Sequence, residues 1–184
     1  MAPMQNLVRM AALTTLLVSA LSTPALAQLS PTAGSAMETI PLRIKLGVWR
    51  PSGQATRTLS GSQVPGGLVD LSGSRAEDSR TLTVGYFQGS SAGKSFRIVP
   101  LLITKASAGS SGSSSTSGFF TSQGVGAYFI DAAGSGFKAR YGGYMGAGLR
   151  LSGGLFVEAQ YHYVSGSVNG ASPNGIALFI GRRN

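Results

Sequence analysis

From residue 42 onward, apolar and polar positions alternate in runs separated by clusters of Gly, Ser, Asn and Pro. A period of two places successive side chains on opposite faces, so each run predicts a β-strand. The first run, Leu42 to Arg50, sets Leu42, Ile44, Leu46 and Val48 against Arg43, Lys45, Gly47 and Trp49. The second, Gly67 to Leu71, is short. The third, Arg80 to Gln88, sets Leu82, Val84 and Tyr86 against Thr81, Thr83 and Gly85. The fourth, Lys94 to Lys105, has Phe96 and Ile98 on one face. Pro100 interrupts it, and a bulge there would hand that face on to Leu101 and Ile103.

The fifth run, Phe119 to Ile130, opposes Val125, Ala127 and Phe129 to Gly124, Gly126 and Tyr128. The sixth, Phe137 to Leu151, opposes Met145, Ala147, Leu149 and Leu151 to Tyr144, Gly146, Gly148 and Arg150. The seventh, Leu155 to Val164, is the cleanest: Leu155, Val157, Ala159, Tyr161 and Tyr163 against Phe156, Glu158, Gln160 and His162. The eighth, Gly175 to Gly181, opposes Ile176, Leu178 and Ile180 to Ala177 and Phe179. Eight runs predict an all-β chain.

Residues 1–27 carry a different pattern. Arg9 precedes a short apolar run, Met10 to Leu21, and Ala25-Leu26-Ala27 forms a small-x-small site. This is the layout of a cleaved secretory signal peptide, with the cut expected between Ala27 and Gln28. Residues 28–40 read as an irregular periplasmic lead-in, and residues 41–184 as the folded unit.

Alternation alone leaves the direction of the faces open. In a soluble sheet the apolar face is the core. In an outer-membrane barrel it meets lipid, and the other face fills the interior. Three features favour the membrane. The leader exports the chain. The second face holds Gly, aromatics and isolated charges, as a confined interior would. Tyr86, Phe119, Phe137, Tyr141, Tyr161 and Tyr163 lie near run ends, where aromatic girdles sit.

Three segments carry a resemblance. LFVEAQYHYVS (Leu155 to Ser165), QGVGAYFI (Gln123 to Ile130) and GIALFIG (Gly175 to Gly181) resemble strands of small outer-membrane barrels of the outer-membrane protein A-like and opacity-protein type. The resemblance implies an eight-stranded antiparallel up-and-down transmembrane β-barrel with both termini in the periplasm and no active site. The chain departs from that family in two places. It runs past Phe179 through Ile180, Gly181, Arg182, Arg183 and Asn184, where members usually end on an aromatic. The connection from Ala106 to Gly118 is long for a periplasmic turn.

Composition narrows the chemistry. The chain has 184 residues, no Cys and one His, which excludes disulfides, cysteine metal sites, thiol nucleophiles and multi-histidine clusters. Lys and Arg number 15 against 6 Asp and Glu, a net charge of +9. The cations are scattered, without the basic stripe and stacking aromatics of a nucleic-acid surface, and suit lipid or lipopolysaccharide phosphates instead.

Gly89 to Ser95, GSSAGKS, is one residue short of a phosphate-binding loop and leads into a strand, whereas such a loop opens a helix. Ala127 to Asp131, AYFID, mimics the strand that partners such loops. Both read as hairpin features. His162 with Ser165 and Glu158 suggests a lipid A-modifying barrel enzyme, but alternation puts Ser165 on the opposite face. Glu158 lies four residues from His162, about 13 Å along a strand. Glu158 faces inward and is expected to pair with one of Arg43, Lys45, Arg97 or Arg150, all placed inward. Counting back through the Ser152-Gly153 turn sets it opposite Gly146 or Gly148, with Arg150 diagonally close.

The reading is a monomeric, porin-like integral barrel of the bacterial outer membrane. It has a structural or adhesion-like role, no catalytic, cofactor or metal site, and a lumen too narrow for a general pore. Its partners are outer-membrane lipid, lipopolysaccharide and the barrel assembly machinery, and not nucleic acid. The rivals are the lipid A-modifying enzyme and a soluble periplasmic lipocalin-like barrel.

Overall fold

The computed structural model describes residues 42–72, 80–108 and 118–183. The expected leader and lead-in, and most of the Ser-rich connection, lie outside the described residues. Eight strands, β1 (Leu42–Pro51), β2 (Val64–Ser72), β3 (Arg80–Ser91), β4 (Lys94–Ala108), β5 (Gly118–Ala132), β6 (Lys138–Arg150), β7 (Leu155–Val164) and β8 (Gly175–Arg183), pair in sequence order. All neighbours are antiparallel, and β1 pairs with β8 from Arg43↔Arg183 to Pro51↔Gly175, so the barrel closes. The expected all-β, up-and-down eight-stranded barrel is what forms. An even strand count brings the start of β1 and the end of β8, the chain ends of the described barrel, to one rim. At the opposite rim lie a helix, α1 (Gln54–Ser60), and the β7–β8 loop.

Strand facing follows the alternation. β7 shows it without exception, with Phe156, Glu158, Gln160, His162 and Val164 buried between exposed neighbours. The short Gly67 to Leu71 run is the middle of β2. The bulge expected at Pro100 does not form. Val84 faces Leu101 and Phe87 faces Ile98 in one unbroken register; the ladder to β3 only skips the rungs of Gly85 and Tyr86. A ring without an N–H costs a bond on one side while its other side still pairs with Tyr128 of β5. Phe96, Ile98, Leu102 and Thr104 therefore share the interior, and Leu101 and Ile103 point out, contrary to the expected hand-over.

β4 and β5 also run further than the alternation suggested. Ala106, Ser107 and Ala108 pair with Ser122, Thr121 and Phe120, so the connection spans residues 109–117.

The GSSAGKS segment is a hairpin. Ser90 faces Ser95, Ser91 faces Lys94, and Ala92 and Gly93 turn with φ of 49° and 77°. Two positive φ values in a two-residue loop match the twist of antiparallel strands.

Helix α1 was not legible in the sequence. Its seven residues carry one large apolar side chain, Leu59, which packs against the core. The Thr56 hydroxyl donates to the Ser172 carbonyl at 2.6 Å, tying the helix to the β7–β8 loop. Ser60 lies over Gly89, where a Cβ would strike the Ser60 carbonyl. That loop folds inward as well: Val168 and Ala171 pair with each other and are buried in the core.

Candidate functional site

Two regions carry chemistry: the barrel interior and its outer face. The interior is filled in tiers. At the rim of the chain ends, the Phe120 and Phe156 rings meet edge to face at 5.9 Å. The guanidinium of Arg150 covers Phe120 at 5.7 Å and that of Arg43 covers Phe156 at 5.6 Å.

Next comes a buried ionic cluster. The Lys45 ammonium lies 3.1 Å from Asp70 Oδ2 and 3.4 Å from Glu158 Oε2. Thr83 donates to Asp70 Oδ1 at 2.7 Å and lies 3.0 Å from Thr104 Oγ1, while Ser122 donates to Glu158. Arg43 reaches Asp70 at 3.9 Å. Two carboxylates and two cations thus balance, which is what permits burial of groups that would be very costly alone.

Above the cluster runs a one-way hydrogen-bond chain. Gln160 Nε2 donates to Glu158 Oε1 at 2.8 Å, so its Oε1 is the acceptor for His162 Nε2 at 3.0 Å. His162 Nδ1 is then the acceptor for the Tyr128 hydroxyl at 2.9 Å. The network assigns the imidazole as the neutral Nε2–H tautomer.

His162 is stacked between Trp49 at 4.5 Å and Tyr144 at 5.3 Å. Beyond it Phe87, Phe96, Ile98, Ile130, Val64 and Val164 pack beneath α1.

Glycines make this filling fit. A Cβ at Gly124 would lie 2.5 Å from Tyr144 Cε1, one at Gly175 would strike Trp49 Nε1, and one at Gly66 would strike the Phe87 ring. Each large ring thus occupies the space that a neighbouring strand's glycine leaves empty. Among the described residues, Trp49 Nε1 is the buried side-chain polar atom without a hydrogen-bond partner.

The sequence-based candidates divide accordingly. Glu158 does sit opposite Gly148, as counted. Its cation is Lys45 from the far side of the closure, while Arg150 covers Phe120 instead. Arg97 is not inward. It lies on the outer parity of β4 and pairs with Asp131 beside Phe137, where Asp131 Oδ1 also accepts the Gly136 N–H at 3.1 Å. AYFID is therefore the end of a hairpin strand whose aspartate braces a loop. Ser165 donates to the Tyr141 carbonyl at 2.9 Å on the exposed side. Both nitrogens of His162 are occupied by Tyr128 and Gln160, so Ser165, His162 and Glu158 form no relay.

The outer face is apolar on every strand. It exposes Leu46, Leu71, Leu82, Leu101, Phe129, Met145, Val157 and Leu178, among others, with Tyr141 80 % and Met145 74 % exposed. On β4 the belt runs from Arg97 to Lys105, about 27 Å of strand and about 20 Å of height at a tilt of about 40°. Cations edge it: Arg50, Lys94 and Lys138 towards the α1 rim, Arg80, Lys105 and Arg182 towards the rim of the chain ends. Every acidic side chain among the described residues, Asp70, Asp131 and Glu158, is buried.

The exposed aromatics are lopsided. Phe129, Phe137, Tyr141, Tyr161 and Tyr163 gather towards the α1 rim on neighbouring strands and Phe119 lies at the other, while Tyr86 is mid-strand. The chain matches no protein-family model, no characterised protein and no solved structure in comparisons with each.

Proposed function

We propose that this protein is an integral β-barrel of the bacterial outer membrane. It is a non-catalytic monomer with a structural or surface-interaction role, and its lumen is sealed. The single observation that carries the reading is the outer face. A closed barrel has no sheet edge to hide, yet every strand turns large apolar side chains outward, far beyond the apolar patches a soluble monomer exposes. An apolar band between cationic rims matches hydrocarbon between anionic headgroups.

The filled interior speaks for the same reading. A ligand-carrying soluble barrel needs its cavity where Trp49, Tyr128, Tyr144 and His162 pack here. The leader-like residues 1–27 supply an export route, lipopolysaccharide and the barrel assembly machinery are the expected partners, and both chain ends then lie on the periplasmic side.

The deciding experiment is expression with the leader intact, followed by membrane fractionation and unheated gel electrophoresis. The protein is expected in the outer-membrane fraction, to require detergent, and to change mobility on heating. Recovery as a detergent-free periplasmic protein would reject the proposal.

A further inference from the structure

We infer that the outer face of β3 and β4, at the α1 rim, holds a site for the phosphorylated sugar headgroup of a glycolipid, bound by Gln88 and Arg97. The inference rests on the membrane reading above and gives one of its partners a place and a chemistry.

The outward residues at this rim differ around the barrel. On β5, β6 and β7 they are the exposed rings of Phe129, Tyr141 and Tyr163. On β3 and β4 they are Gln88, Ser90, Ser95 and Arg97. Gln88 lies directly opposite Arg97, and Ser90 opposite Ser95. Gln88 and Arg97 stand at the edge of the apolar belt, each three residues from the turn end of its strand. The two serines stand two residues higher, about 7 Å along the strands. On the belt side the outer face of the same two strands continues through Val84, Val99 and Leu101. Polar groups above and apolar surface below give the order of headgroup and acyl chain in a lipid.

Both members of the lower pair are held in place. The Tyr86 hydroxyl donates to Gln88 Oε1 at 2.5 Å. Arg97 donates to Asp131 Oδ2 through Nη2 and, at 3.1 Å, through Nε, and its guanidinium lies 5.2 Å from the centre of the Phe137 ring. Among the described residues, neither Gln88 Nε2 nor Arg97 Nη1 has a hydrogen-bond partner. Two anchored donors thus share one rung, about 5 Å apart. Phosphate oxygens accept from an amide and a guanidinium together, and anchored side chains lose little entropy on binding. The Ser90 and Ser95 hydroxyls both donate and accept, which suits the hydroxyls of a sugar ring above the phosphate.

Asp131 neutralises Arg97, so the attraction for an anion comes from the rim around the pair. The four connections at this rim, residues 52–63, 92–93, 133–137 and 165–174, are all described, and none contains Asp or Glu. Arg50, Arg57, Lys94, Lys138 and Arg140 stand at the same rim. Their summed field favours a lipid of net negative charge. In the membrane reading this rim meets the outer leaflet, where the glycolipid lies.

The experiment is native mass spectrometry of the detergent-purified barrel after incubation with bisphosphorylated lipid A, dephosphorylated lipid A or phosphatidylglycerol. One bisphosphorylated lipid A is expected to remain bound, with the other two lipids retained at least tenfold less. Gln88→Leu is expected to lower that retention about tenfold, the scale of one charge-assisted hydrogen bond. Arg97→Lys keeps a cation beside Asp131 but loses the second arm of the fork, and is expected to do the same. Gln123→Leu, on the outer face towards the opposite rim, is expected to change nothing.

Unheated gels on each variant verify that the barrel has formed. A barrel that inserts and shifts on heating but retains no lipid A overturns this inference alone. So does equal retention of the dephosphorylated form or of phosphatidylglycerol, or retention unchanged by both Gln88→Leu and Arg97→Lys. A protein that needs no detergent overturns the membrane reading and this site with it.

Discussion

Lys45 sits where a flexible cation is hardest to place, inside a closed barrel and within 3.4 Å of two carboxylates. Its worth lies in what its removal would leave behind. Lys45→Met leaves Asp70 with only the Arg43 guanidinium at 3.9 Å and takes from Glu158 its ion-pair partner. Breaking a buried pair in this way is expected to destabilise by about 3–5 kcal/mol. The urea midpoint of the heat-shifted band should fall accordingly, and combining Lys45→Met with Glu158→Gln should recover part of the loss. An unchanged midpoint for Lys45→Met would mean the cluster is wet.

His162 belongs at the same scale. From sequence alone, its loss from a rehydrating lumen costs about 1 kcal/mol or less. Full burial, two hydrogen bonds and two stacked rings raise the expectation for His162→Ala to about 3 kcal/mol. Lipid composition of the envelope should not change, because neither ring nitrogen is available to a nucleophile. A shifted lipid profile with an intact barrel would revive the enzyme reading.

At the scale of elements, facing is the property that function depends on. Val157 lies on the outer face of β7, between Leu155 and Ala159. In lipid, an Arg at such a position costs about 2–4 kcal/mol near mid-belt and less at the rim. Val157→Arg is therefore expected to lower the heat-shifted fraction in membranes. Full assembly of that variant would place the face in water.

The β4–β5 hairpin gives a second element-level expectation. The ladder persists to Ala108↔Phe120, so a short turn can replace residues 109–117 without moving either strand. The shortened protein should keep the heat-shifted band, and losing it would show that the connection packs on the barrel.

Among the described residues, the interior of the barrel is packed from one rim to the other. Aromatic rings occupy the middle, arginine-covered rings one end, and α1 with the β7–β8 loop the other. Planar-bilayer recordings are expected to show no stable openings on the scale of trimeric porins, since an eight-stranded barrel is about filled by its own side chains. Sustained large openings would require a wider assembly than one chain.

What the sequence determined was local. Alternation has a period of two, so inward and outward residues of a strand can be read from a few neighbours, and on β5, β6, β7 and β8 they were. Glu158 opposite Gly148 was likewise legible, because a short turn sets the register of adjacent strands. The closure was not. Lys45 reaches Glu158 only because β1 meets β8, joining residues 113 apart, and no hairpin count contains that step.

Arg97 looked inward because Pro100 suggested a bulge, whereas the ladder tolerated the ring and kept its register. Helix α1 has too few apolar positions for periodicity to reveal it, and the open mouth of the barrel supplies the surface on which Leu59 packs. Strand facing is decided by bonds between near neighbours. The ion cluster, the filled interior and the helix-covered mouth are decided by which strands the closed sheet brings across from one another, and only the tertiary structure contains that information.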